Sequence, residues 1–401
     1  MRPFTSSALP PAPNSPLPAP KLKVMTVLGT RPEIIRLAAV IKALEQHTNH
    51  VLVHTGQNYD HELNQVFFDE LGVSKPNHFL KVDTSSLGRT LGELLIRTEE
   101  VILKEKPDAF LVLGDTNSAV SLIMAKRMKV PTYHMEAGNR SFDPNVPEET
   151  NRKLADHLAD FNLVYTEHAR RHLLSEGLPH RFVYLTGSPM REVLMSRLKQ
   201  IAASDILQKL HLEKGKYFIV SAHREENVDN RENLEQVVRC LERLHDAYGY
   251  PVVVSTHPRT RNRLEKAGLT VEGRDIRFLK PFGFLDYNKL QMNAFCAVSD
   301  SGTISEESAI LDFPAVTIRN SLERPEALDA GSIVLTGLDP DTLISAIKIV
   351  VQERVSFPKR EIPEEYKVEN TSLRVVKLIV GTAKLAHRWL NLETFSRYDW
   401  R

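Results

Sequence analysis

The sequence predicts an α/β protein built from two parallel-sheet domains that face each other across a cleft. Three observations lead there. Short apolar runs rich in β-branched residues alternate with segments of helical periodicity. The alternation lapses once and then restarts. Most of the apolar runs end in Gly, Ser, Thr, His, Arg or acidic residues. A βα succession implies parallel strands with helices on both faces, and a chain of 401 residues exceeds one ordinary core.

The elements follow in order. LKVMTVLG is the first strand, and RPEIIRLAAVIKALEQ after it places Leu37, Val40, Ile41 and Leu44 at helical spacing. Thr30 and Glu33 make a capping box, with Pro32 near the helix start. HVLVHTG, AFLVLG, PTYHME and FNLVYT are the next strands. TGSPMREVLMSRLKQIAASDILQKL is helical and polar and reads as a connection. The pattern then resumes with YFIVSAH, PVVVST, IRFLK, CAVSD and PAVTI. The expected organisation is a flexible Pro-rich tail (1–21), a first domain (22–195), a second domain (196–375), and a C-terminal helix and tail (376–401) that packs back on the first domain. Arg374, Lys377 and Lys384 interrupt that last helix, so it covers a surface and does not insert into a membrane.

Composition narrows the function. A formal net charge of +1 gives no bulk field for nucleic acid or an acidic membrane. No run of apolar residues is long enough to span a bilayer. Cys240 and Cys296 lie in apolar contexts with no CxxC spacing and no metal-like cluster, which fits a reducing cytoplasm.

In open parallel sheets, ligands bind at the carboxyl ends of strands near the reversal of strand order. GTRPE, HTGQNYD, GDTNS, HMEAGNR, SAHREEN, STHPRT and SDSGTISEE all follow apolar strands, so they should share one polar cleft. Arg31 and Arg36 near a helix start, behind Gly29-Thr30, suit an anion, although a solvated arginine is the plainer reading. Ser301, Gly302 and Thr303 lead into another helix, with Thr303 and Glu306 as a second capping box, and can hold a diphosphate. Neither motif is a GxGxxG or Walker sequence, so no dinucleotide is indicated. Asp115 and Glu136 end neighbouring strands, where paired carboxylates can split into acid and base. Glu148 and Glu149 open a helix, and alone would be caps. His223 is raised above the other histidines by its strand-end position, and His257 shares that status with less support.

These segments, together with HMEAGNRSFDPNVPEETNR and the later ERPEA, closely resemble the non-hydrolysing UDP-N-acetylglucosamine 2-epimerase family from about residue 22 to 380. The resemblance implies two Rossmann-like domains of the glycosyltransferase-B type, with a UDP-sugar between them. It implies inversion at C2 without NAD or metal, by elimination of UDP to a 2-acetamidoglycal and readdition. Asp115, Glu136, Glu148 and His223 match the catalytic groups, with base and acid unassigned. Arg31, Arg36, Ser301, Gly302, Thr303 and Arg324 would hold UDP, and Glu307 the ribose. Arg140, Arg152, His257 and Tyr287 complete the expected substrate-binding set. A homodimer is implied too. Arg36 replaces a Lys, the AGNRSFDPNVPEE segment is shorter, and Val146 replaces a Trp of the better-known branch. These departures resemble the branch that converts UDP-2-acetamido-2,6-dideoxy-L-talose to UDP-N-acetyl-L-fucosamine for capsule or O-antigen. The alternatives are a UDP-N-acetylglucosamine to UDP-N-acetylmannosamine epimerase and a glycosyltransferase of the same fold.

Overall fold

The computed structural model describes residues 21–56, 61–269, 271, 273–357 and 362–390. The Pro-rich start before Lys21, the QNYD positions 57–60 and the end of the C-terminal tail lie outside the described residues.

Two sheets organise the chain. The first holds β1 (Lys23–Leu28), β2 (Asn49–His54), β3 (His78–Phe79), β4 (Ala109–Leu113), β5 (Thr132–Ala137), β6 (Phe161–Val164) and β7 (Val183–Leu185). The second holds β8 (Phe218–Ser221), β9 (Val252–Ser255), β10 (Ile276–Leu279), β11 (Cys296–Ser299), β12 (Ala315–Thr317) and β13 (Val334–Leu335). Their orders are β3-β2-β1-β4-β5-β6-β7 and β10-β9-β8-β11-β12-β13. Every pairing is parallel. The ten strands read from sequence are all present. β3, β7 and β13 were not expected, because two or three residues carry no periodicity of their own.

The strand order reverses between β1 and β4 in one sheet and between β8 and β11 in the other. Each reversal opens a crevice at the strand carboxyl ends, where helices leave on opposite faces. The central strands are buried on both sides, which is why β4 reads as the unbroken apolar run AFLVL. Met25, Val27, Phe110 and Val112 pack on one face of the first sheet. Val24, Leu28, Leu111 and Leu113 belong to the other face, whose core continues through Met190 and Leu194 to Ile219 and Ala297 of the second sheet.

The chain passes between the sheets twice. Helix Met190–Ala203 carries it out, through the division placed at residue 195. Helix Thr371–Trp389 brings it back, burying Val375, Val376, Ile379, Ala383 and Ala386 along one stripe. The Thr382 hydroxyl meets the Tyr133 hydroxyl on β5 at 2.8 Å, which seats this helix against the first sheet. At the crossing, Gly187 has φ +80° and lies so close to Val368 that a Cβ would come within 2.7 Å of it. Among the described residues, no helix is long and apolar enough to cross a membrane.

Candidate active site

The carboxyl ends of both sheets meet around one cavity of about 480 Å³. Every candidate site residue read from sequence lines it except Arg140.

The β1 end makes the first wall. Gly29 cannot carry a side chain, because a Cβ would fall 2.0 Å from Thr55 Oγ1 and 2.6 Å from Ser118 Oγ. Glu33 is buried and accepts from the N–H groups of Gly29 at 3.0 Å and Thr30 at 2.8 Å, and from the Thr30 hydroxyl at 2.8 Å. The capping residues are therefore the expected pair, but they occupy the N–H groups that were read as a phosphate cradle. Burial pushes the Glu33 carboxyl up to about 7 against those hydrogen bonds. Arg31 lies at the helix start with its guanidinium 5.9 Å from the Phe67 ring centroid.

The β4 and β5 ends bring the acids. Glu136 sits in β5 with φ 63°, where the register to β6 slips between Met135 and Ala137. A left-handed residue at a bulge re-aims its side chain at a local energetic cost, a feature that gathers at functional sites. The Glu136 carboxylate is held by Arg36 Nη1 at 2.7 Å, Arg324 Nη2 at 2.6 Å and Asn139 Nδ2 at 3.3 Å. Asp115 takes Arg152 Nη2 at 2.6 Å. Arg152 also reaches Glu323 at 3.0 Å and Glu149 at 3.1 Å. Glu148 stands in the first turn of helix Pro147–Leu158. Among the described residues, no arginine or lysine forms a salt bridge with it. Burial first, and then the charge of Asp115, raises its pKa.

Arg140 corrects the sequence reading. It is 1% exposed and donates to Asp156 at 2.6 Å and to Glu176 at 2.7 Å through both Nε and Nη2. It braces the β5 loop from behind. Val146 is 4% exposed at the start of helix Pro147–Leu158 and does not line the cavity.

The second sheet supplies the opposite wall. His223, past β8, places Nδ1 3.0 Å from Asp300 Oδ1. Asp300 is wholly buried and its other oxygen accepts from the N–H groups of His223 and Arg224, both at 2.9 Å, and from Asn227 at 3.0 Å. Burial alone would raise the Asp300 pKa, but the His223 charge and these donors hold it well below the ordinary carboxylate range. The imidazole lines the cavity with its Nδ1 edge turned toward Asp300. Ser301 Oγ lies 3.0 Å from Thr303 Oγ1 ahead of helix Ile304–Leu311. The capping box expected of Thr303 and Glu306 is not formed, because Arg36 at 2.9 Å and Arg324 take the Glu306 carboxylate instead. Glu307 is buried and accepts from Gln291 Nε2 at 2.8 Å. Burial raises its pKa. His257 caps helix Pro258–Ala267, accepting from Arg259 N at 3.3 Å. Tyr287 completes the wall beside these groups.

Asp300, Glu323 and Arg224 were missed in sequence, and Glu33 and Glu306 were read only as helix caps. The signal for Asp300 was available, since it is the last residue of CAVSD, directly after a strand. Glu323 is recognisable only once Arg319, Arg152 and Arg224 are seen around it.

Two facing parallel-sheet domains, with acids on one wall and a helix start, histidine and arginines on the other, define an α/β enzyme of the glycosyltransferase-B type. The profile of the UDP-N-acetylglucosamine 2-epimerase family matches residues 42–380. The UDP-N-acetylglucosamine 2-epimerase structure from Rickettsia bellii superposes with TM-score 0.87 at 45% identity, covering 93% of this chain and 100% of that one. The Methanocaldococcus jannaschii UDP-GlcNAc 2-epimerase, solved in complex with UDP-GlcNAc and UDP, superposes with TM-score 0.84 at 33% identity, over 90% of this chain and 100% of that one. The UDP-2,3-diacetamido-2,3-dideoxy-D-glucuronate 2-epimerase of Pseudomonas aeruginosa is 34% identical over 332 residues, 82% of this chain and 92% of that protein. The chain belongs to the UDP-N-acetylglucosamine 2-epimerase family and is an isomerase.

Proposed function

We propose that this enzyme inverts C2 of a UDP-2-acetamido sugar without hydrolysing it, by anti elimination of UDP and readdition to a 2-acetamidoglycal. The observation that carries the reading is the convergence of Asp115, Glu136 and Glu148 on one cavity with the Ser301–Thr303 helix start and with Arg31, Arg36 and Arg324. C2–H is a weak acid. Cleavage of C1–O must therefore lead, and cationic groups that hold the departing diphosphate lower that barrier. Arg31, Arg36 and Arg324 with the helix start serve that end, and His223 adds a donor to the diphosphate. Asp115 and Glu136, tied to arginines, are the proton-accepting carboxylates. Glu148, whose pKa is raised, is the group suited to deliver a proton. Glu307 is suited to the ribose hydroxyls. UDP then re-adds at C1 as the proton reaches the opposite face of C2.

For the sugar, the reading is UDP-2-acetamido-2,6-dideoxy-L-talose, giving UDP-N-acetyl-L-fucosamine. It rests on Arg36 and the short loop before Glu148, because Val146 lies away from the cavity. The second reading, UDP-N-acetylglucosamine, is favoured by the names of the relatives. On the first reading the enzyme is a cytoplasmic homodimer that supplies a capsule or O-antigen precursor. The test is kcat/KM for each nucleotide sugar. The 6-deoxy-L-sugar should exceed UDP-N-acetylglucosamine by about tenfold or more, within the range one hydroxyl contact can discriminate. Equal or reversed values assign the enzyme to the second reading.

A further inference from the structure

We propose that Glu306 is a positioning residue: a buried counter-charge that sets how Arg36 and Arg324 divide between Glu136 and the diphosphate. The inference rests on the 2-epimerase reading above and concerns a residue that does not itself line the cavity.

Glu306 has no exposed surface. It belongs to helix Ile304–Leu311 behind the second sheet's diphosphate turn. One of its oxygens receives Arg36 Nη2 at 2.9 Å and Arg324 Nη1. The remaining arms of the same two arginines, Arg36 Nη1 and Arg324 Nη2, hold the two oxygens of Glu136. Two guanidinium groups are thereby clamped between two carboxylates, one in the cavity and one beneath it. The planar fork offers a separate nitrogen to each carboxylate, whereas a lysine at position 36 would have to serve both from a single ammonium. The second Glu306 oxygen accepts from the Ser188 hydroxyl. Ser188 follows Gly187 at the crossing between the sheets, where its carbonyl accepts from Thr371 at 3.1 Å. Glu306 is therefore fixed at the crossing and transmits that position to Glu136 through the arginines.

The charges give the consequence. Two cations and two anions balance in this cluster, so a diphosphate entering the cavity must compete with Glu306 for the arginines. In a desolvated site that competition is strong. It tempers the hold on UDP, which must be tight enough to retain UDP beside the glycal and weak enough to release product.

The experiment compares the parent with Glu306→Gln and Ser188→Ala, measuring UDP binding by calorimetry and turnover of both nucleotide sugars. Glu306→Gln removes the competing charge without changing size, so Kd for UDP should fall by about tenfold, a change of about 1.4 kcal/mol. It also releases the orientation of Glu136, so kcat should fall by about 100-fold with no rise in KM. Ser188→Ala keeps the charge and loosens the carboxylate, so it should lower kcat while leaving UDP affinity unchanged. A simply structural role for Glu306 would weaken UDP binding along with activity. Weaker or unchanged UDP binding in Glu306→Gln, or kcat in Ser188→Ala equal to the parent, would overturn the proposal. A parent that binds UDP and epimerises neither sugar instead refutes the functional reading, and the UDP titrations still decide the competition.

Discussion

At Glu33 a carboxyl is buried under the first helix turn and held near 7, while at Asp300 one equally buried is kept ionised. The difference lies in their donors. Asp300 has the His223 imidazole 3.0 Å from one oxygen and three N–H donors on the other, whereas Glu33 meets neutral N–H and hydroxyl donors. The Glu33 pKa is raised from 4.5 to about 7, so the folded state binds the proton more tightly than the unfolded chain. Its contribution to stability is therefore present below pH 4.5 and declines as pH rises to about 7, by up to about 3 kcal/mol. His50 and His54, lowered to about 4 by burial, act in the opposite sense, so the parent's net slope is a sum. Glu33→Gln removes only the Glu33 part. Denaturant titrations at about pH 5 and pH 8 should show the variant gaining stability relative to the parent at the higher pH. An unchanged difference between variant and parent would contradict the assignment. At this scale sequence reading was strong for residue type and weak for direction. Arg140 and Arg152 occupy the same motif, yet one turns into the core to Asp156 and the other to Asp115. Nothing in the spacing decides which.

Elements were more legible than side chains, because a polar strand end is visible without knowing where its side chains point. Asp115 follows β4 by two residues, and Glu136 is the last residue but one of β5, so both lie at strand ends as read. The left-handed turn of Glu136 was not readable, since Glu carries no signal for positive φ. The glycine two residues on does carry one. Gly138 has φ +82°, and a Cβ there would lie 2.3 Å from the Ala169 carbonyl oxygen. Gly138→Ala should destabilise the fold by about 1–3 kcal/mol and lower kcat by displacing Glu136. The opposite expectation holds at Gly381, inside helix Thr371–Trp389, where a Cβ meets nothing within 4 Å. Gly381→Ala should stabilise by about 0.5–1 kcal/mol. Thermal unfolding of both variants checks the pair, and equal effects would contradict the packing described. The capping pattern at Thr303 misled for an element-scale reason. Local spacing proposes Glu306 as a cap, and arginines from distant segments outcompete the cap for it.

For the whole molecule, two sheets facing a cleft were evident from the restart of the βα pattern. Their fastening was not, because it depends on residues hundreds of positions apart. Glu70 of the first half accepts from the N–H of Phe284 at 2.6 Å, capping a helix of the second half. Arg152 to Glu323 and Arg36 to Glu306 cross in the same way. These bridges hold the two walls of the cavity together. The central claim, exchange of the C2 proton during a reversible loss of UDP, is tested most directly by proton NMR in D2O. The purified chain is incubated with UDP-N-acetylglucosamine in one tube and UDP-2-acetamido-2,6-dideoxy-L-talose in another. The account predicts deuterium at C2 together with a new anomeric signal, foremost in the second tube, and no free sugar. An epimer that keeps its original C2 proton, or unchanged sugars in both tubes while UDP binds, would contradict it.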